Sequence, residues 1–175
     1  MQKYCILDTE TTGTSESSEL LSIAIINQNG KTLLDTYVTP TKEKEWPNAT
    51  KINGITPKFI FEGNFPTLET LNPSIVTVLK QYKNVVMYGA DYDSRFIESA
   101  LSIAKPKVHC CMARFSQYMG IWDETRGIWK RHKLTYAAEL VGHDWTGSPH
   151  GALSDAQATL SVWNYLESTG AAIVL

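Results

Sequence analysis

A chain of 175 residues, 43 % of them hydrophobic, suits one compact domain over 1–175 with enough apolar surface for a core. A formal charge of −2 excludes a strongly basic, tight nucleic-acid binder, but not an acidic site that turns positive when it fills with divalent cations. Three cysteines without a C-x-x-C spacing exclude a zinc ribbon, and the lack of a long apolar span or cleavable leader pattern predicts a cytoplasmic protein that avoids membranes.

In chain order, residues 4–8 are an apolar run ending at a polar turn and read as a buried strand. Residues 20–27 and 33–38 read as the second and third strands, with Asn29-Gly30 between them as a hairpin signal. Residues 49–53 resemble a helical turn stopped by Gly54. Leu68, Leu71, Ile75, Val78 and Leu79 predict a helix over 67–82, which Pro73 is expected to divide or restart. A strand over 84–88, a helix over 93–104, a strand over 107–110 and helices near 113–119 and 134–141 follow. The last helix, over 152–167, can place Leu153, Ala156, Leu160, Trp163 and Leu166 on one apolar face. Three meandering strands followed by two helix-connected strands predict an α/β fold. Its five-stranded mixed sheet has three antiparallel and then two parallel strands, flanked by helices. That order resembles the ribonuclease H-like fold, which by itself does not decide function.

Three segments carry the chemistry. In Asp8-Thr9-Glu10 the strand alternation points both carboxylates to one face, where mutual repulsion and desolvation are costly unless a cation sits between them. An acidic pair at a strand end is more often a solvated edge. The second segment, Tyr88-Gly89-Ala90-Asp91-Tyr92-Asp93, joins a buried strand to a helix. Either aspartate could simply cap that helix. The third, Ser148-Pro149-His150-Gly151-Ala152-Leu153-Ser154-Asp155, places a loop histidine before a helix whose first turn holds Asp155. A capping aspartate and an unrelated surface histidine would look the same.

Asp-x-Glu on the first strand, Asp at a strand-to-helix junction and His-x4-Asp at a late helix, in this order, resemble the DnaQ-like, DEDDh exonuclease family. Asn53-Gly54-Ile55-Thr56 is similar to that family's His-Gly-Ile-Thr turn. The stretch from Cys111 to Gly127 is similar to stand-alone bacterial and phage exonucleases near exodeoxyribonuclease X. Carried over by resemblance, the catalytic set is Asp8, Glu10, Asp93, Asp155 and His150, with Asp93 rather than Asp91 after the aromatic residue. Gly151 places the chain in the histidine form instead of the tyrosine form. Gly89, Asn53 and Thr14 depart from the family pattern, and Thr14 leaves the usual apolar wedge against the terminal base missing.

The resemblance implies removal of nucleotides from the 3′ end of DNA, with single strands favoured, using two Mg²⁺ or Mn²⁺ ions about 4 Å apart. Asp8, Glu10, Asp93 and Asp155 would hold the ions, His150 would take the proton from the attacking water, and Thr11, Thr12, Asn53 and Ile55 would meet the substrate. The alternatives are an RNA exonuclease of the same family and a DnaQ-like nucleic-acid-binding module without catalysis. A module of that kind would be expected to have lost a carboxylate. Arg126, Lys130, Arg131, His132 and Lys133 around Trp129 could track a nucleic-acid backbone, or could form a solvated basic loop over a core Trp122–Trp129 pair.

Overall fold

The computed structural model describes residues 3–145 and 150–170. Strands β1 (Tyr4–Thr11), β2 (Leu20–Asn27) and β3 (Thr32–Tyr37) form the expected meander, followed by α1 (Pro47–Asn53), α2 (Pro57–Glu62) and α3 (Leu68–Leu79). Strand β4 (Asn84–Met87) leads through α4 (Ala90–Phe96) and α5 (Glu98–Ala104) to β5 (Lys107–Cys110). Helix α6 (Cys111–Met119), the short strands β6 (Trp122–Asp123) and β7 (Ile128–Trp129), α7 (Leu134–Leu140) and α8 (Ala152–Ser168) complete the described chain.

The main sheet has the order β3-β2-β1-β4-β5. Pairing is antiparallel from β1 to β2 and from β2 to β3, and parallel from β1 to β4 and from β4 to β5. This is the mixed sheet that the sequence predicts. Alternation along β1 feeds two layers. Cys5 and Leu7 pack with Ile75, Leu79 and Ala100, whereas Ile6 packs with Phe115, Ala156 and Leu160. A third cluster of Leu21, Trp46, Ala49, Ile55 and Ile60 fastens α1 and α2 beside the sheet. Among the described residues no helix is long and apolar enough to cross a membrane.

Several local expectations need correction. The β2–β3 hairpin signalled by Asn29-Gly30 forms, with a turn wider than the two residues. The Gly30 amide donates to the Asn27 carbonyl at 2.9 Å, and the Asn27 side chain accepts from the amides of Asn29 and Lys31. The turn therefore spans 27–30, with Gly30 at φ 79°. Pro73 does not divide α3, which runs through it from a Thr67 cap. The helix expected over 93–104 begins earlier, at Ala90, and breaks at Ile97, whose backbone leaves the helical region while its side chain is buried. Helix α2 and the β6–β7 hairpin are additional elements. Trp122 and Trp129 are not core: they are 46 % and 37 % exposed.

Candidate active site

Strand β1 pairs with β4 only as far as Ile6 opposite Val86, so its second half continues beyond the end of β4. Asp8 and Glu10 lie on that extension, opposite Ala24 and Ser22 of β2. This is the carboxyl-end edge of parallel strands, where open α/β sheets place their sites. Helix α8 covers the same face and brings Asp155 from its first turn. One ligand oxygen from each of Asp8, Glu10 and Asp155 lies within 4.8 Å of the others.

Asp93 approaches from the first turn of α4 and is buried. It is not in the mutually close trio but lies near Asp8, and the Thr9 hydroxyl donates to its Oδ1 at 2.6 Å. Thr9 points away from Asp8 and Glu10 on the strand, so it grips Asp93 from the other side of the sheet. Neither Asp93 nor Asp155 is an N-cap, since Gly89 and Gly151 occupy those positions. Asp91 is exposed and faces Arg131 at 3.6 Å.

The electrostatics of the cluster are unbalanced. Burial raises the Asp8 carboxyl well above the usual range, and the nearby Asp93, Asp155 and Glu10 raise it further. Burial and Asp155 push Glu10 up to about 7, against an opposing hydrogen bond from Asn53. Asp93 rises to about 6 through burial, despite the bonds from Thr9. Asp155 is also raised by burial, moderated by the His150 backbone amide, which donates to Oδ1 at 3.1 Å. Among the described residues no lysine or arginine pairs with Asp8, Glu10, Asp93 or Asp155. A set of hard oxygen donors with no positive partner fits a divalent cation.

Two cavities flank Glu10. One, of about 630 Å³, is lined by Thr11, Thr12, Thr14, Asn48, Asn53 and Tyr92 among others. The other, of about 340 Å³, includes Asn53, Ile55, His150, Ser154 and Gln157. His150 is exposed and adopts φ 69°, an uncommon conformation for a residue with a side chain. Ser148 and Pro149 of the same motif lie outside the described residues. Asn53 spans the two cavities: its amide donates to the Thr11 carbonyl at 3.2 Å, and its oxygen accepts from the Ile55 amide at 3.0 Å.

Sequence reasoning gave no role to three residues, Thr9 and Tyr92 on the wall of the larger cavity and Glu19 behind its Thr12 loop. Thr9 carried no signal beyond alternation. The Tyr92 hydroxyl meets the Thr11 hydroxyl and the Gly13 carbonyl, closing one wall. Glu19 accepts from the backbone amides of Thr41, Lys42 and Glu43, which outweigh its burial and lower its pKa. The Glu19 backbone also pairs with Thr12 in both directions, so the Thr12 amide and hydroxyl hold the loop in place.

These shifts fix a sign for the metal-free protein. The folded-state values of Glu10 and Asp93 lie above their ordinary values, so their stabilising contribution is complete at low pH. It is lost as pH rises through about 6 to 7. The metal-free melting temperature should therefore fall between about pH 5 and pH 8, and added divalent cation should restore it most at the upper end. Thermal melts with Mn²⁺ and with chelator at both pH values test this. A metal-induced gain that is larger at low pH would contradict it.

A family model described as Exonuclease matches residues 5–163. The chain is 32 % identical to the uncharacterized exonuclease CP81 of Escherichia phage 186, over 95 % of this chain and 89 % of that one. The solved nuclease domain of 3′hExo, a DEDDh family member bound to rAMP, superposes with a TM-score of 0.70 at 17 % identity, over 97 % of this chain and 94 % of that one. Exonuclease I of E. coli in complex with a dA16 oligonucleotide superposes with a TM-score of 0.77 at 14 % identity, over 96 % of this chain. The chain spans 62 % of a full-length 3′-exonuclease of the same fold and 41 % of exonuclease I.

Proposed function

Because the chain belongs to the exonuclease family and is a hydrolytic nuclease with the ribonuclease H-like fold, we propose that it releases nucleoside monophosphates one at a time from the 3′ end of DNA, preferring single strands. The observation that carries this reading is the convergence of Asp8, Glu10 and Asp155, unneutralised, beside a nucleotide-sized cavity. The oligonucleotide-bound exonuclease I supports single-stranded DNA, and the rAMP-bound 3′hExo domain supports RNA as the second reading. On this reading, residues 1–175 act as one domain, in the cytoplasm.

Asp8, Glu10 and Asp155 would hold one Mg²⁺ or Mn²⁺ ion, and Asp8 with Asp93 the second. When bound, the ions supply positive charge for the scissile phosphate and for the attacking and leaving oxygens. An imidazole nitrogen of His150 takes the proton of the attacking water as its oxygen bonds to phosphorus. The bond from phosphorus to the 3′ oxygen breaks and that oxygen takes a proton from solvent, leaving a nucleoside monophosphate and a new 3′ hydroxyl. Thr11, Thr12 and Asn53 shape the chamber for the terminal nucleotide, and Ile55 supports it from the neighbouring cavity. Side-by-side digestion of labelled single-stranded DNA, duplex DNA and RNA, with Mg²⁺ and with chelator, tests the function. Undiminished digestion in excess chelator would refute it, and faster digestion of RNA would favour the second reading.

The two neighbouring aspartates separate cleanly. Asp93 is buried on Thr9, whereas Asp91 is exposed and paired only with Arg131. Asp93→Asn should lower turnover by about 10²-fold or more. Asp91→Asn should change it by less than about fivefold, since an exposed ion pair contributes little. Steady-state rates of the two variants decide the assignment, and a more damaging Asp91→Asn would reverse it.

A further inference from the structure

The β6–β7 hairpin has no part in the site described so far, yet its surface is unusual. Trp122 and Trp129 pair directly across the strands, with ring centroids 5.1 Å apart and planes at 82°, and both are exposed. Ile121 and Ile128 are exposed beside them. Large apolar side chains gathered at a surface mark contact sites more often than chance exposure does. The surrounding charge is positive although the chain is acidic overall: residues 122–133 hold four arginines and lysines against Asp123 and Glu124. Arg126 lies 3.8 Å from Asp123, while Lys130 and Lys133 make no ion pair among the described residues.

The hairpin is also firmly rooted, and on the elements that build the site. Lys130 donates its amide to the Ile121 carbonyl at 2.8 Å. The Tyr88 hydroxyl, at the site end of β4, donates to the His132 carbonyl at 2.8 Å. Arg131 reaches Asp91 on α4, two residues before Asp93. The His132 ring stacks on Tyr136, with centroids 5.1 Å apart. The Tyr88–His132 bond and the His132–Tyr136 stack thus tie the segment that follows β7 to the end of β4 and to α7, while the exposed Arg131–Asp91 pair adds little.

We propose that this hairpin is the docking platform for the single strand upstream of the 3′ end, with Trp122 and Trp129 stacking its bases and Arg126, Lys130 and Lys133 meeting its phosphates. The occupant follows from the chemistry of the patch. Indole faces accept any base, and the unpaired Lys130 and Lys133, with Arg126 held only in an exposed pair, match a phosphate backbone. An apolar protein partner would leave those cations without a role. The proposal rests on the exonuclease reading, because the platform matters only if a strand is held at the carboxylates.

The test measures affinity for a trinucleotide and for a 15-mer of thymidylate, with Mg²⁺, in an Asp155→Asn background that keeps the substrate uncut. The parent should bind the 15-mer more tightly than the trinucleotide. Trp122→Ala or Trp129→Ala should weaken 15-mer binding about 5- to 100-fold, and the corresponding Phe variants should retain most of it. Because an Ala variant could loosen the hairpin itself, the charge variant Arg126→Gln/Lys130→Gln provides an independent reading. It should flatten the slope of log Kd against log salt by about 1.4, at roughly 0.7 per lost phosphate contact. Equal affinity for both lengths, or an unchanged salt slope, overturns the platform even if the wild-type chain digests DNA. A wild-type chain that digests no nucleic acid would instead overturn the exonuclease reading. A change in oligomeric state on Trp→Ala with 15-mer affinity unchanged would assign the hairpin to self-association and reject the proposal.

Discussion

Asp8→Asn is expected to cut nucleotide release by at least about 10³-fold while leaving the fold intact. Asp8 is buried at the point where β1 outruns β4, and the fields of Glu10, Asp93 and Asp155 all fall on it. In the proposed site it is the one ligand shared by both ions, so its loss weakens both. Its neutral replacement also removes a charge from a crowded, unneutralised cluster. The metal-free variant should therefore melt at or above the wild-type temperature, and it should gain little on addition of Mn²⁺. Single-turnover cleavage of an end-labelled oligonucleotide and paired thermal melts measure both effects. Activity within tenfold of wild type, or a lower metal-free melting temperature, would count against a shared site.

His150→Ala should lower the rate by about 10² to 10⁴-fold, the usual loss on removing a general base, with metal affinity close to wild type. The backbone amide of His150, not its ring, bonds Asp155, and alanine keeps that bond. His150 lines the cavity that also contains Glu10, which sets it beside the proposed site. The rate at saturating substrate should show a limb that rises with pH, as a general base requires, and the variant should lose that limb. Calorimetric titration with Mn²⁺, run beside the pH–rate profile, separates the roles. A fall in Mn²⁺ affinity proportional to the fall in rate would make His150 a ligand, and an unchanged limb would remove it from proton transfer.

The sheet was legible because its signals are local. Apolar runs such as 20–27 and 84–88 are bounded by turn residues, and two helix-connected strands after a meander admit few topologies. The acidic side chains were legible for a similar reason: strand alternation sets Asp8 and Glu10 on one face whatever follows. The rest depends on contacts between distant segments. Nothing around Thr9 indicates that Asp93, 84 residues later, will accept its hydroxyl. Ile97 breaks a helix because its side chain is drawn into the core, which no propensity encodes. Helix α2 did leave a mark, Thr56 before Pro57, and the Thr56 hydroxyl indeed caps it by accepting from the Phe59 amide. Trp122 and Trp129 could be read either as a base-stacking pair in a basic stretch or as core, and only the tertiary contacts decide that they are exposed.

The distribution of the acidic trio along the chain bears on how the protein is made. Asp8 and Glu10 come from β1, and Asp155 from α8, whose apolar face covers Ile6 and Ala24. A ribosome emits the first strand long before the last helix. Until α8 emerges and docks, the nascent polypeptide has only two members of the trio, and α6 and α7 alone cover that face of its sheet. On the proposed site, hydrolytic capacity would arise only when α8 docks, in the same step that completes the second core layer.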